Sequence, residues 1–343
     1  MAYRSYLRAA GALSLTLACL ATPAHAEPRD PWVRAWGLNI GGQLGNGTTL
    51  DRTTPGSVTG LARADVRELS AGGFNSNLSF ALALLTDGTV LSWGGNTSGQ
   101  LGDGGTAQRG FPAAVAGLSG VSTVAAAGGP FALAVRDGRV LAWGTNAYGQ
   151  LGNGLTTPDG AGSTTRPTGV QSLDRVEDVS GGCEHSVALR KDGTVWTWGR
   201  NSVGQLGNGA DTDRNTPQKV PGLDDVVAVA AGCLHTLALT ADGTVKAWGH
   251  NAKGQLGDAR TEHSKVPVDV QHLDGVAKVF AGGWQHALAV LADGSVVAWG
   301  DNGNGQLGNG TTAASLAPVK ALPAGSGSAR VAASVANKSS YAY

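Results

Sequence analysis

Short apolar runs broken by Asp-Gly recur along the chain. Ala238-Leu239 and Val245-Lys246-Ala247-Trp248 flank one such break at Asp242-Gly243. Two apolar runs around Asp-Gly predict a β-hairpin whose turn takes positive φ angles, type I′. The dipeptide returns at Asp87, Asp137, Asp192 and Asp293. Ahead of each hairpin runs a Val- and Ala-rich segment ending in glycine, as from Val226 to Gly232, and a short fourth strand is expected near Pro217 to Pro221. No stretch sustains a 3.6-residue apolar period, so almost no helix is expected.

Each hairpin leads into W-G-x-N-x-x-G-Q-L-G. Six copies begin at Trp36, Trp93, Trp143, Trp198, Trp248 and Trp299, spaced 57, 50, 55, 50 and 51 residues apart. Three or four strands per repeat of about 51 residues make one propeller blade. A lone blade cannot bury both faces, whereas a ring covers every blade with its neighbours. The expected fold is an all-β, six-bladed β-propeller, with the six tryptophans as packing residues; seven blades would require another copy. The chain ends suggest how the ring closes. Ser340-Tyr341-Ala342-Tyr343 matches Ser79-Phe80-Ala81-Leu82 but stops before a hairpin, and Asp30 to Trp36 matches Asp242 to Trp248. The N-terminal strand is therefore expected to pair with the C-terminal strands in one shared blade, removing two exposed edges.

Composition adds little against this reading. The 54 glycines suit an array of tight turns, and 25 Lys and Arg balance 25 Asp and Glu with no basic run, which argues against nucleic-acid binding. The first 26 residues stand apart. Arg4 and Arg8 precede an apolar stretch from Ala9 to Ala21 and a small-x-small site at Ala24-His25-Ala26, the pattern of a cleaved secretory signal. The expected arrangement is a signal over 1–26 and one propeller domain over 27–343, with export and no membrane insertion, as a monomer.

Several constellations invite chemistry. His185, His235 and His286 occupy equivalent places, and three imidazoles around an axis would suit a metal. The first two blades carry Phe131 and a Ser/Asn stretch near Asn77 instead, so these histidines read as part of the repeat, with no metal or other cofactor. Cys183 and Cys233 are also equivalent. In a six-fold ring the chord between them equals their distance from the axis, so a disulfide forms only at the innermost rim; otherwise they are buried thiols. The Asp of each Asp-Gly suits turn chemistry and no catalytic set stands out. The residues that break the repeat at the G-G-x-x-H rim are Phe74, Phe131, Glu184, Leu234 and Trp284, the expected contacts for a protein partner.

W-G-x-N-x-x-G-Q-L-G, G-G-x-x-H and L-x-x-D-G-x-V-x-x-W-G together resemble the regulator of chromosome condensation repeat family over essentially the whole chain after the signal. The resemblance implies a propeller that binds proteins. Family activities include guanine-nucleotide exchange in the nuclear member, ultraviolet-B sensing, and β-lactamase inhibition by a secreted bacterial protein. The export signal and lack of a basic tail set this chain apart from the nuclear member. The favoured expectation is an exported, non-catalytic binding scaffold; the alternatives are a secreted hydrolase or lyase on a propeller frame and an exchange factor.

Overall fold

The computed structural model describes residues 32–75, 77–156, 162–323, 331–333 and 340–342. The expected signal over 1–26, Asp30, Tyr343 and part of the long loop after Leu155 lie outside them. Five antiparallel sheets have four strands each. Blade 1 is Val66–Gly72, Phe80–Leu85, Val90–Gly94 and Arg109–Ala114; blade 2 is Val121–Ala126, Phe131–Arg136, Arg139–Gly144 and Thr164–Gly169. Blade 3 is Val176–Gly181, His185–Arg190, Val195–Gly199 and Arg214–Lys219; blade 4 is Val226–Ala231, His235–Thr240, Val245–Gly249 and Ser264–Asp269. Blade 5 is Val276–Gly282, His286–Leu291, Val296–Gly300 and Ser315–Leu322. The ends supply a sixth blade in two halves, Val331–Ala333 with Ser340–Ala342 and Trp32–Gly37 with Arg52–Ala62. The first half lies against blade 5 and the second against the outer strand of blade 1. Among the described residues no ladder joins the halves. The only helical element described is a 3-10 turn, Arg63–Asp65.

The hairpins differ from expectation in one detail. Only Asp137 and Gly138 both have positive φ, 52° and 72°, with Arg136 opposite Arg139, so only blade 2 has a type I′ turn. The other four loops hold one more residue. In blade 1 the Gly88 N–H donates to the Leu85 carbonyl, the Leu85 N–H donates to Thr89, and the glycine alone turns left-handed at 83°. This is a type I turn closed by a glycine bulge. The Asp carboxylate of each accepts the backbone N–H two residues on, at Thr89, Thr194, Thr244 and Ser295.

The repeat tryptophans hold the blades together. Trp93, Trp143, Trp198, Trp248 and Trp299 are fully buried. Their indole N–H groups donate to the carbonyls of Gln43, Gln100, Gln150, Gln205 and Gln255 at 2.8–2.9 Å. Each bond runs to the G-Q-L-G of the preceding repeat. The glycine two residues after each of these Gln packs so closely on the indole that a Cβ would collide; at Gly152 it would stand 2.8 Å from the Trp198 Nε1. Trp36 breaks the series. It is only half-buried, and no hydrogen bond joins it to Gln306 among the described residues.

Candidate functional site

The inner strands end in glycine-rich turns around the axis, and their backbones are bonded from blade to blade. The Gly73 N–H donates to Ala127 at 2.9 Å, Gly129 to Gly182 at 3.1 Å, Cys183 to Cys233 and Cys233 to Gly283 at 3.0 Å. At Gly129 a Cβ would run into the Cys183 carbonyl, so this approach needs glycine. These turns are the innermost rim, and here Cys183 and Cys233 form a disulfide, with an S–S distance of 2.07 Å and Cα atoms 4.4 Å apart. Phe74 and Leu234 pack on the pair. Phe74 belongs to blade 1, so the disulfide that joins blades 3 and 4 is also reached from a third blade.

Removing the cross-link should be costly. Cys183 and Cys233 are 50 residues apart, and chain entropy sets a ceiling of about 4 kcal/mol for a loop of that size. The double variant C183A/C233A should unfold with a free energy lower by about 2–4 kcal/mol, read by urea denaturation. Wild-type protein in reductant should show the same loss, and unchanged midpoints in both would show that the bond contributes nothing.

The expected rim contacts fall into three groups. Phe131 is fully buried, which corrects its assignment to the contact set: it occupies the repeat position taken by histidine in blades 3 to 5 and packs in the core between blades 2 and 3. Phe74 and Leu234, both half-buried, pack against the disulfide. Glu184 and Trp284 remain at the surface. Glu184 pairs with Arg200, whose guanidinium lies 4.9 Å from the Tyr148 ring centre, and Trp284 is 46% exposed. The second strand of each blade starts level with the end of the third, as His185 lies opposite Gly199 and His286 opposite Gly300. The G-G-x-x turns and the loops after each Trp-Gly therefore share one face. Leu38 and Ile40, 50% and 52% exposed, lie on such a loop and were not singled out by the repeat analysis, because W-G-x-N leaves its x positions open.

The histidines are interior groups. The matching residue of blade 1 is Phe80, opposite Gly94, which replaces the expectation of a Ser/Asn stretch at that place. The His185 Nε2 lies 3.0 Å from the Thr236 Oγ1 of the next blade. The next blade offers His235 only Ala287, and neither ring nitrogen of His235 finds a hydrogen-bond partner among the described residues. Burial pushes the pKa of His185 and His235 down to about 3 and that of His286 to about 4, so all three are neutral imidazoles. Among the described residues no three His, Cys, Asp or Glu side chains gather as a metal site.

At the other end the channel opens into a cavity of about 1060 Å³. Its wall along blades 1 to 3 is polar, with Glu68, Thr123, Asp178 and Ser180; along blades 4 and 5 it is mostly apolar, with Val227, Ala228, Ala230 and Phe280. Glu68 and Asp178 are buried. Glu68 accepts from the Thr123 hydroxyl at 3.1 Å and from the Val124 N–H at 3.4 Å.

The sequence pattern of the regulator of chromosome condensation (RCC1) repeat matches six times, over residues 33–77, 87–135, 137–189, 192–239, 242–290 and 293–336. The chain belongs to the regulator of chromosome condensation repeat family. It is 33% identical over 301 residues to the E3 ubiquitin-protein ligase HERC2 of Homo sapiens, across 85% of this chain and 6% of HERC2. It is 32% identical over 294 residues to the ultraviolet-B receptor UVR8 of Arabidopsis thaliana, across 84% of this chain and 65% of UVR8. The RCC1-repeat chain thus spans a small part of HERC2 and slightly under two thirds of UVR8. Among solved structures, human WBSCR16 superposes with a TM-score of 0.74 at 26% identity, over 88% of this chain and 79% of that one. Prp20p of Saccharomyces cerevisiae gives 0.75 at 24%, over 89% and 76%, a likeness of fold.

Proposed function

We propose that this propeller is an exported, non-catalytic scaffold that holds a protein partner on the face shared by the Gly-Gly turns and the Trp-Gly loops. The observation that carries the reading is Trp284, a large apolar ring 46% exposed on a frame bonded blade to blade. Exposed aromatics on rigid supports are preferred interface anchors, and Leu38, Ile40 and the Glu184–Arg200 pair give the same face further irregular contacts. Prp20p, of the same fold, is described with binding properties to Gsp1p and histones, protein partners in each case. The turn carboxylates support a non-catalytic role, since Asp87, Asp192, Asp242 and Asp293 are held below the usual carboxylate range by hydrogen bonds from neighbouring Thr or Ser. Export rests on the basic start, apolar stretch and Ala24-His25-Ala26.

Cell fractionation with N-terminal sequencing tests export: the expected product lies outside the cytoplasm and starts at Glu27, and a full-length cytoplasmic product would overturn it. For the partner, cross-linking should recover one stoichiometric protein with wild type and lose it with Trp284→Ala at unchanged thermal stability. Equal recovery by the variant would remove this face from the proposal.

A further inference from the structure

Where one blade meets the next, the repeat gathers three groups. They are the first residue of the second strand, the Gln carbonyl of the same blade's G-Q-L-G, and a residue of the following blade that lies opposite its tryptophan. Between blades 3 and 4 these are His185, Gln205 and Thr236. The Thr236 hydroxyl donates to the Gln205 carbonyl at 3.2 Å and lies 3.0 Å from the His185 Nε2, so a single oxygen serves both. Between blades 2 and 3, Phe131 needs no partner and the Ser186 hydroxyl donates to the Gln150 carbonyl at 2.7 Å. Between blades 1 and 2, the apolar Phe80 meets the methyl of Ala132, which lies opposite Trp143. Blades 4 and 5 combine the polar ring of His235 with the methyl of Ala287, beside the Gln255 carbonyl. Both His235 and Ala287 are fully buried. Neither ring nitrogen of His235 is hydrogen-bonded, and only the Trp299 indole reaches the Gln255 carbonyl, among the described residues.

The frame around this place matches the interface before it. Ala287 lies opposite Trp299 as Thr236 lies opposite Trp248. The Trp299 indole meets the Gln255 carbonyl at 2.9 Å, as Trp248 meets Gln205. A Cβ on Gly232 would stand 2.2 Å from the His235 Cε1, and one on Gly182 the same distance from the His185 Cε1. The His235 ring has therefore not shifted into the room left by a side chain two heavy atoms smaller than threonine. Two buried polar groups within reach of one oxygen position, with space beside them, satisfy the conditions for a buried water. We propose that blades 4 and 5 bind a single water molecule in the place that the Thr236 Oγ1 takes between blades 3 and 4. It accepts from the His235 Nε2–H and donates to the Gln255 carbonyl, so that solvent supplies the oxygen the sequence omits at position 287.

Water-selective NMR of the full protein, with nitrogen-labelled histidine, reads the site directly. The His235 side-chain N–H should show cross-relaxation with a long-lived bound water. Ala287→Thr should displace that water, restore the hydroxyl and melt at or above the wild-type temperature. Ala287→Val has the same shape without the hydroxyl. It should displace the water, leave both polar groups unanswered, and melt below wild type by about 2–4 °C or more. A dry site predicts the reverse for valine, which would then fill empty space and melt at or above wild type. The threonine variant controls for crowding, since it brings in the same number of heavy atoms. His235→Phe, which copies the pairing of Phe80 with Ala132, should abolish the water signal. The proposal is overturned if wild-type His235 shows no bound water, if the signal persists in Ala287→Thr, or if Ala287→Val is as stable as wild type. Should the valine variant fail to fold, the wild-type signal and its loss in Ala287→Thr decide.

Discussion

From neutrality to pH 5 the protein should lose on the order of 5 kcal/mol of folding stability, about 2 kcal/mol for each of three buried imidazoles. His185 and His235 are held at a pKa of about 3 and His286 at about 4, chiefly by burial, while an unfolded histidine titrates near 6.5. Between these values the unfolded chain takes up protons that the native ring refuses, so stability rises with pH in that window. It is fully present above about pH 6.5 and is lost as pH falls toward the folded values. A loss of this size approaches the whole stability of an ordinary domain. Urea titrations across the window measure it. The triple variant H185F/H235F/H286F, which adopts the residue already present as Phe80 and Phe131, should flatten the dependence; an equally steep profile would place its origin elsewhere.

The second large effect concerns the indoles. Trp143→Ala should cost about 3–5 kcal/mol for the emptied core, measured by equilibrium denaturation. Its loss also strands the Gln100 carbonyl, which has no second side-chain donor among the described residues. At Trp198 the Ser186 hydroxyl also donates to the Gln150 carbonyl, at 2.7 Å. Trp143→Phe should therefore destabilise by about 1–2 kcal/mol more than Trp198→Phe, the penalty of one orphaned acceptor. Trp36→Ala, at a half-buried ring without this bond, should cost less than about 1 kcal/mol. A loss at Trp36 equal to that at Trp143 would show that the N-terminal half of the sixth blade meets the Gln306 loop of blade 5 as tightly as any other blade meets the one before it.

The blade count and hairpin positions were legible because W-G-x-N-x-x-G-Q-L-G repeats with little variation and Asp-Gly marks each reversal. The turn type was legible too, in a spacing rather than a dipeptide. From Phe80, His185, His235 and His286 to the next Asp is seven residues, but from Phe131 it is six, and the missing residue makes the tight turn. Phe131 was misjudged because an aromatic in place of histidine looks like an exception at a rim, whereas in space it is a core position that takes any large side chain. The condition for the Cys183–Cys233 bond followed from ring geometry, but its fulfilment depended on how far inward the turns reach. The packing of Phe74 on the disulfide was beyond one-dimensional reading, since no spacing in the repeat encodes a contact between blades that are not neighbours.

All five indole bonds point the same way round, from each repeat to the one before. That gives the array a polarity, with unlike ends: one offers the Trp36 indole and the other the Gln306 carbonyl. Contacts of this head-to-tail kind close into a ring when the rotation per unit is right and otherwise continue from molecule to molecule as an open chain. Closure of the ring therefore rests on the geometry of a single junction, and damage there should favour contacts that run from molecule to molecule.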